Sequence, residues 1–299
     1  MFEAAFPQVL KIIGSVVAPT TLLTALMYYF GRLEAAGFLW YLGPQVTVLD
    51  LTVQDYLVSS VDGLILPLMV VAGVALLALW VHQLLLGARR AGARPTVLRV
   101  LMASAAIVGV VLVSLAVADV VMGPVFPPSF PEGRGLSLSI GVLLLTYAAR
   151  LLRLFIAERR PKLVQRRAPG AVVVAEWGAV FILVSVGLFW AVGSYAIGVG
   201  KTHARQLETS LPSIADVVAY SEKRLSLQAP GIREVTCQNP DAAYRFRYEG
   251  LKLVMQSGNQ YLFLPSGWTR ANGAAILIPR SEALRLEFSS AGQVRDTTC

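Results

Sequence analysis

The sequence predicts an integral membrane α-helical bundle of five transmembrane helices followed by a small extracytoplasmic α+β domain with a mainly antiparallel sheet. Three observations carry that expectation. Of 299 residues, 56% are hydrophobic and only 15% are charged, with a mean hydropathy of +0.63, which is too apolar for a water-soluble chain of this size. Before Gly200 the apolar residues gather into five runs long enough for a hydrocarbon core of about 30 Å. From Lys201 onward the spacing becomes that of an ordinary soluble domain.

The expected spans are about 12–30, 64–86, 97–121, 136–155 and 171–199, which gives a membrane domain over 1–200 and a soluble domain over 201–299. Span one begins behind a short start holding only Glu3 and Lys11. A cleaved signal peptide is the competing reading, but one basic residue and the lack of a small-x-small site close behind favour a retained helix. Pro19, Thr20, Thr21 and Thr24 mark a kink or pathway position, because threonine hydroxyls can bond a carbonyl that proline leaves free in lipid. The connection 31–62 is expected outside, with Arg32 against Glu34, Asp50, Asp55 and Asp62, and with Phe38, Trp40 and Tyr41 at headgroup level. Thr52 followed by Asp55 predicts a helix start near Val53, leading into span two with Pro67 as a second candidate kink.

Gly87–Arg99 carries Arg89, Arg90, Arg94 and Arg99 and no acid, so it belongs in the cytoplasm. Pro95 suits the first turn of span three, where Ala105 and Gly109 form a small-xxx-small step for close helix approach. The segment GPVFPPSFPEGRG is a stiff outer turn beside Asp119. Span four ends where Arg150 and Arg153 can snorkel, and the loop beyond sets Arg159, Arg160, Lys162, Arg166 and Arg167 against Glu158. Both basic connections fall on one side, so the N terminus is expected in the cytoplasm and the C-terminal domain outside a bacterial cell membrane. Lys201 and Arg205, just beyond span five, run against this rule. Arginine outnumbers lysine 21 to 5, as in chains from GC-rich genomes.

In the soluble domain, Ser210 or Ser213 could cap a helix whose apolar stripe is Leu211, Ile214, Val218 and Leu225. After Pro230, Tyr244, Phe246 and Tyr248 alternate with Arg245 and Arg247, as in a strand. A turn at Glu249-Gly250, a hairpin turn at Ser257-Gly258-Asn259 and later turns at Trp268–Gly273 and Arg280–Glu282 complete one helix on a sheet of about five strands.

The net charge of +8 divides as fourteen basic against nine acidic residues before Gly200 and twelve against nine after, which is loop orientation and no nucleic-acid stripe. No nucleophile elbow, H-E-x-x-H, phosphate loop or haem motif occurs, so no catalytic residue and no cofactor is expected. Cys237 and Cys299 either pair as an extracytoplasmic disulfide or remain two free thiols, and with His203 they lack metal-site spacing. Glu176 lies inside span five, as a functional acid or as the partner of Arg150, Arg153 or an inner-loop arginine. Asp119 and Asp62 read as interfacial caps, and His82 beside Trp80 as an amphipathic anchor.

The stretches YFGRLEAAGF…LDLTVQDYLVSSVDGL and YEGLKLVMQSGNQYLFLPSGW…AAILIP…LRLEF resemble those of uncharacterised multi-pass membrane proteins from GC-rich bacteria. The resemblance implies the two-part architecture and brings no site or activity. The function expected is therefore non-enzymatic: an outer domain that mediates binding, sensing or assembly at the envelope, its partners being the lipid bilayer and an envelope protein or further copies of itself. The alternatives are a homo-oligomeric channel or small-solute transporter gated by the outer domain, for which Pro19, Pro67 and the threonines speak, and an accessory subunit of an envelope enzyme complex.

Overall fold

In the computed structural model, residues 6–44, 49–90, 95–159, 170–239, 242–292 and 299 are described. Among these residues five helices come first: α1 (Phe6–Leu42), α2 (Val53–Arg90), α3 (Pro95–Val121), α4 (Gly133–Arg159) and α5 (Gly170–Ser210). A short 3-10 turn, Leu211–Ser213, leads to six strands: β1 (Asp216–Ser221), β2 (Arg233–Thr236), β3 (Phe246–Ser257), β4 (Gln260–Pro265), β5 (Ile276–Pro279) and β6 (Leu284–Ser289). Among the described residues, segments of four helices are long and apolar enough to cross a membrane: Val53–Leu84, Arg99–Val121, Gly133–Arg153 and Gly170–Ser213. The expected first span lies in α1, where the side chains before Thr20 fall outside the described residues.

The chain divides into two compact units, Met1–Leu64 with Ala196–Cys299, and Ile65–Tyr195. In the second unit, α3 and α4 pack through glycine. A Cβ on Gly109 would meet the Gly141 carbonyl at 3.1 Å, and one on Gly141 would meet that of Gly109 at 3.0 Å, the close approach that small residues permit.

The first unit holds α1, the start of α2, the end of α5 and the sheet. Here the segment from Gly31 to Leu42, expected as part of a loop, continues α1. Its glycines allow this: Gly31 abuts the Tyr56 backbone, Gly37 that of Ile197, and Gly200 of α5 that of Glu34. The start of α2 falls where the capping signal put it. The Asp55 N–H donates to the Thr52 hydroxyl at 3.3 Å, and the Thr52 N–H donates to the Asp55 carboxylate at 2.8 Å, a reciprocal box with aspartate in the usual place of glutamate. Thr52→Ala is expected to lower stability by about 1 kcal/mol, read as a fall in the thermal midpoint of the detergent-solubilised protein.

The sheet is antiparallel throughout, in the order β5-β4-β3-β1-β6, with β2 also pairing β3. Both of its faces are covered. On β4, Leu262 and Leu264 turn to a core containing Leu39, Tyr41 and Leu42 of α1, Leu49, Ala204 of α5, Leu211 and Trp268. Phe263, between them, joins Val217, Ala219, Tyr248, Leu251 and Ile278 in the other core, covered by Leu225, Leu227 and Ile232. The period of two puts successive residues on opposite faces, and both faces are apolar.

Two expectations for this domain are corrected. The helix anticipated over Leu211 to Leu225 is a 3-10 turn followed by strand β1, whose alternating burial places Val217, Ala219 and Ser221 inside. Leu211, Ile214 and Val218 fit a helical stripe, but Val217 and Ala219 fit a strand, and pairing with β3 and β6 on both sides decides between them. The domain thus has no helix of its own after Ser213 among the described residues; the helix ends of α1 and α5 cover the sheet instead. Glu249-Gly250 is not a turn but a bulge within the continuous β3, since Tyr248 opposes Ala219 while Leu251 opposes Val217. Gly250 has φ +79° and stands against the Gly231 carbonyl, where a Cβ would not fit. The hairpin turn at Gly258-Asn259 is present, with Ser257 opposite Gln260 and Gly258 at φ +55°.

Candidate functional site

The first unit contains a cleft of about 200 Å³. Its walls are Ala35, Phe38 and Leu39 of α1, Leu51, Tyr56 and Ser59 of the α2 region, and Met255 of β3, with Glu34, Asp55 and His203 as its charged or titratable members. Glu34 is only 5% exposed, because Gly200 brings the α5 backbone onto the α1 turn that carries it. Three residues further along α5, His203 sets its Nδ1 3.0 Å from Oε1 of Glu34, while Oε2 is buried without a hydrogen-bond partner among the described residues. Loss of water around Glu34 raises its carboxyl above the ordinary glutamate range; His203 opposes that rise and the charge of Asp62 adds to it. A buried acid with one unmatched oxygen costs stability, and such groups mark places where a ligand donor can be received.

The sign of the pH effect follows. A raised folded pKa favours the protonated acid, so this contribution is fully present below the unfolded value of about 4.3 and is lost as pH rises through the folded value. Glu34→Gln keeps the shape without the charge. The thermal midpoint of the wild type is expected to drop relative to Glu34→Gln between pH 4 and pH 8, and parallel pH profiles would refute the burial argument.

Beside the cleft, α2 holds the β3–β4 hairpin. The Ser257 hydroxyl lies 2.7 Å from the Asp55 carboxylate and 3.0 Å from the Asp50 carbonyl, so the residue that starts α2 also holds the hairpin tip. Beyond the cleft, Trp40 and Tyr41 of α1 meet cations from α5 and the β4–β5 connection. Lys201 Nζ stands 4.5 Å from the Trp40 ring centroid, and the Arg270 guanidinium stands 4.5 Å from the Tyr41 ring and 5.1 Å from that of Trp40. The aromatic cluster of the sequence is therefore brought onto Lys201 and Arg270, with Arg205 at 5.9 Å from Tyr41.

In the second unit, Arg153 donates both Nη groups to Glu176 at 2.9 Å, while the Arg150 guanidinium lies 4.1 Å above the Trp177 ring. His82 meets Tyr147 edge to face at 6.1 Å. Asp119 accepts from the Val125 and Phe126 N–H groups at 2.7 and 3.2 Å and so ties the turn after α3. The Thr24 hydroxyl donates to the Thr20 carbonyl at 2.9 Å, one turn back. Pro67 lies inside α2. Cys237 and Cys299 are joined in a disulfide. Among the described residues no three His, Cys, Asp or Glu side chains are grouped to hold a metal.

Spacing could not have found Glu34 with His203, because they stand on different helices far apart in the sequence; the one signal was an acid beside the small residues of α1. No protein-family model matches the chain, and no curated protein or solved structure is significantly similar to it.

Proposed function

We propose that this chain is a non-enzymatic multi-pass protein of a bacterial cell membrane, with five spans, a cytoplasmic N terminus and an outer sheet domain that binds or senses at the envelope. The arginine-rich connections on one side support the orientation. The observation that carries the sensing role is the shared core: Leu262 and Leu264 of the sheet pack with Leu39 and Leu42 of α1 and Ala204 of α5. The α5 helix continues to Ser210 and reaches β1 through five residues, the first three of them a 3-10 turn, too short a connection to absorb a displacement. A ligand that supplies a donor to Glu34, or a partner that moves the β3–β4 hairpin, then acts directly on α1, α2 and α5.

Two measurements test this. A phosphatase fused behind Cys299 should be active and a fluorescent protein there dark; the opposite pair refutes the orientation. Met255→Trp, which fills the cleft, should alter backbone hydrogen exchange along α2 and α5 in detergent. Unchanged exchange in both helices would reduce the domain to an anchor.

A further inference from the structure

We infer that Lys201, Arg205 and Arg270, arrayed on Trp40 and Tyr41, form a binding site for the phosphate headgroup of an anionic phospholipid in the leaflet next to the sheet domain. The inference rests on the membrane placement proposed above and not on which side of the membrane the domain occupies.

The chemistry is set by what these cations do not meet. Among the described residues none of the three has a carboxylate within ion-pair distance. The acid beside them, Glu208, is already engaged: one oxygen accepts the Tyr41 hydroxyl at 2.6 Å and the other the Arg270 N–H at 3.2 Å. Attraction to a ring uses the face of a guanidinium or one side of an ammonium, so the N–H edges of Arg270 and the remaining Lys201 donors stay open to an acceptor. Three like charges held together repel one another, and an arriving phosphate removes that cost.

Position selects a lipid over a free anion. Lys201 is the first residue after the apolar run that ends at Gly200, which sets it at headgroup depth. Trp40, 60% exposed, presents an indole beside the cations, as interfacial tryptophans do where apolar and wet layers meet. A soluble anion would use the charges and leave that indole in water; a phospholipid covers both.

The test is native mass spectrometry of the full chain released from nanodiscs holding equal phosphatidylglycerol and phosphatidylcholine. The wild type should retain phosphatidylglycerol in preference, and each cation removed should cut that preference about five-fold. Lys201→Gln with Arg270→Gln should therefore lose about 25-fold. Arg285→Gln, at an exposed arginine on β6, should change nothing. Should the double variant misfold, Lys201→Gln alone alters one α5 side chain and reads the single step. Equal retention of the two lipids by the wild type, or an unaltered preference in Lys201→Gln, overturns the proposal. So does inorganic phosphate that stabilises the lipid-free protein as strongly as phosphatidylglycerol does, which would make this a free-anion site. Nanodiscs expose both faces, so a failed lipid preference is separate from a failed topology.

Discussion

Reduction of the disulfide between Cys237 and Cys299 is expected to destabilise the sheet domain by about 4 kcal/mol, the chain-entropy value for a loop spanning 62 residues. The loop encloses β3, β4, β5 and β6, so the cross-link restricts most of the domain in its unfolded state. Cys237 follows β2 directly, its N–H bonded to the Arg245 carbonyl at 3.0 Å, so the anchored end is firmly placed. Cys237→Ser, Cys299→Ser and the double variant should each lose the same amount as reductant, because the bond needs both sulfurs. Additive losses in denaturant unfolding would mean that the cysteines contribute through packing. The bond also reports compartment, since a disulfide persists only where the surroundings oxidise. Mass mapping of protein taken from cells under thiol block should find the pair joined; two free thiols would count against the outer placement as well as against the bond.

What could be read in the sequence was local chemistry. The start of α2 follows from Thr52 and Asp55, the start of α3 from Pro95, and the β3–β4 turn from Gly258-Asn259, because each depends on residues a few positions apart. The lower part of the sheet domain was ambiguous: Leu211 to Leu225 satisfies a helical and an extended period together, and only neighbouring strands settle it. Gly250 looked like a turn because a glycine of positive φ serves a turn and a bulge equally. The continuation of α1 past Phe30 was hidden because Arg32 and Glu34 interrupt the apolar run, although Glu34 is buried on meeting α5. The candidate site was the least legible part. Glu34 with His203, and Trp40 with Lys201 and Arg270, join elements that only the folded chain brings together.

Asp216→Ala should cost about 3 kcal/mol, the low end for leaving a buried charge without its counter-ion, because Lys252 is buried while Asp216 is partly exposed. Lys252 on β3 is 3% exposed, and its ammonium lies 2.8 Å from the Asp216 carboxylate, with the Ile214 carbonyl as a further acceptor. Truncating Asp216 leaves that charge inside the domain with a neutral partner alone. The pair also stitches the entry of β1 to the middle of β3, and Asp216 accepts the Gly292 N–H at 2.8 Å from beyond β6. Burial pushes the Asp216 carboxyl up, but the bonds from Lys252 and Gly292 and the charge of Lys252 outweigh it and hold the group below the usual aspartate range. A depressed folded pKa means stability that is present above the unfolded value of about 3.9 and is lost as pH falls through the folded one. The wild type should therefore weaken in acid below about pH 4, whereas Asp216→Ala should lack that component of the slope. Lys252→Met combined with Asp216→Ala should recover much of the loss, because an apolar side chain of similar length needs no counter-charge. If the double variant is as unstable as the single at pH 7, the bonds to the Ile214 and Gly292 backbone, rather than the buried charge, hold this corner of the sheet.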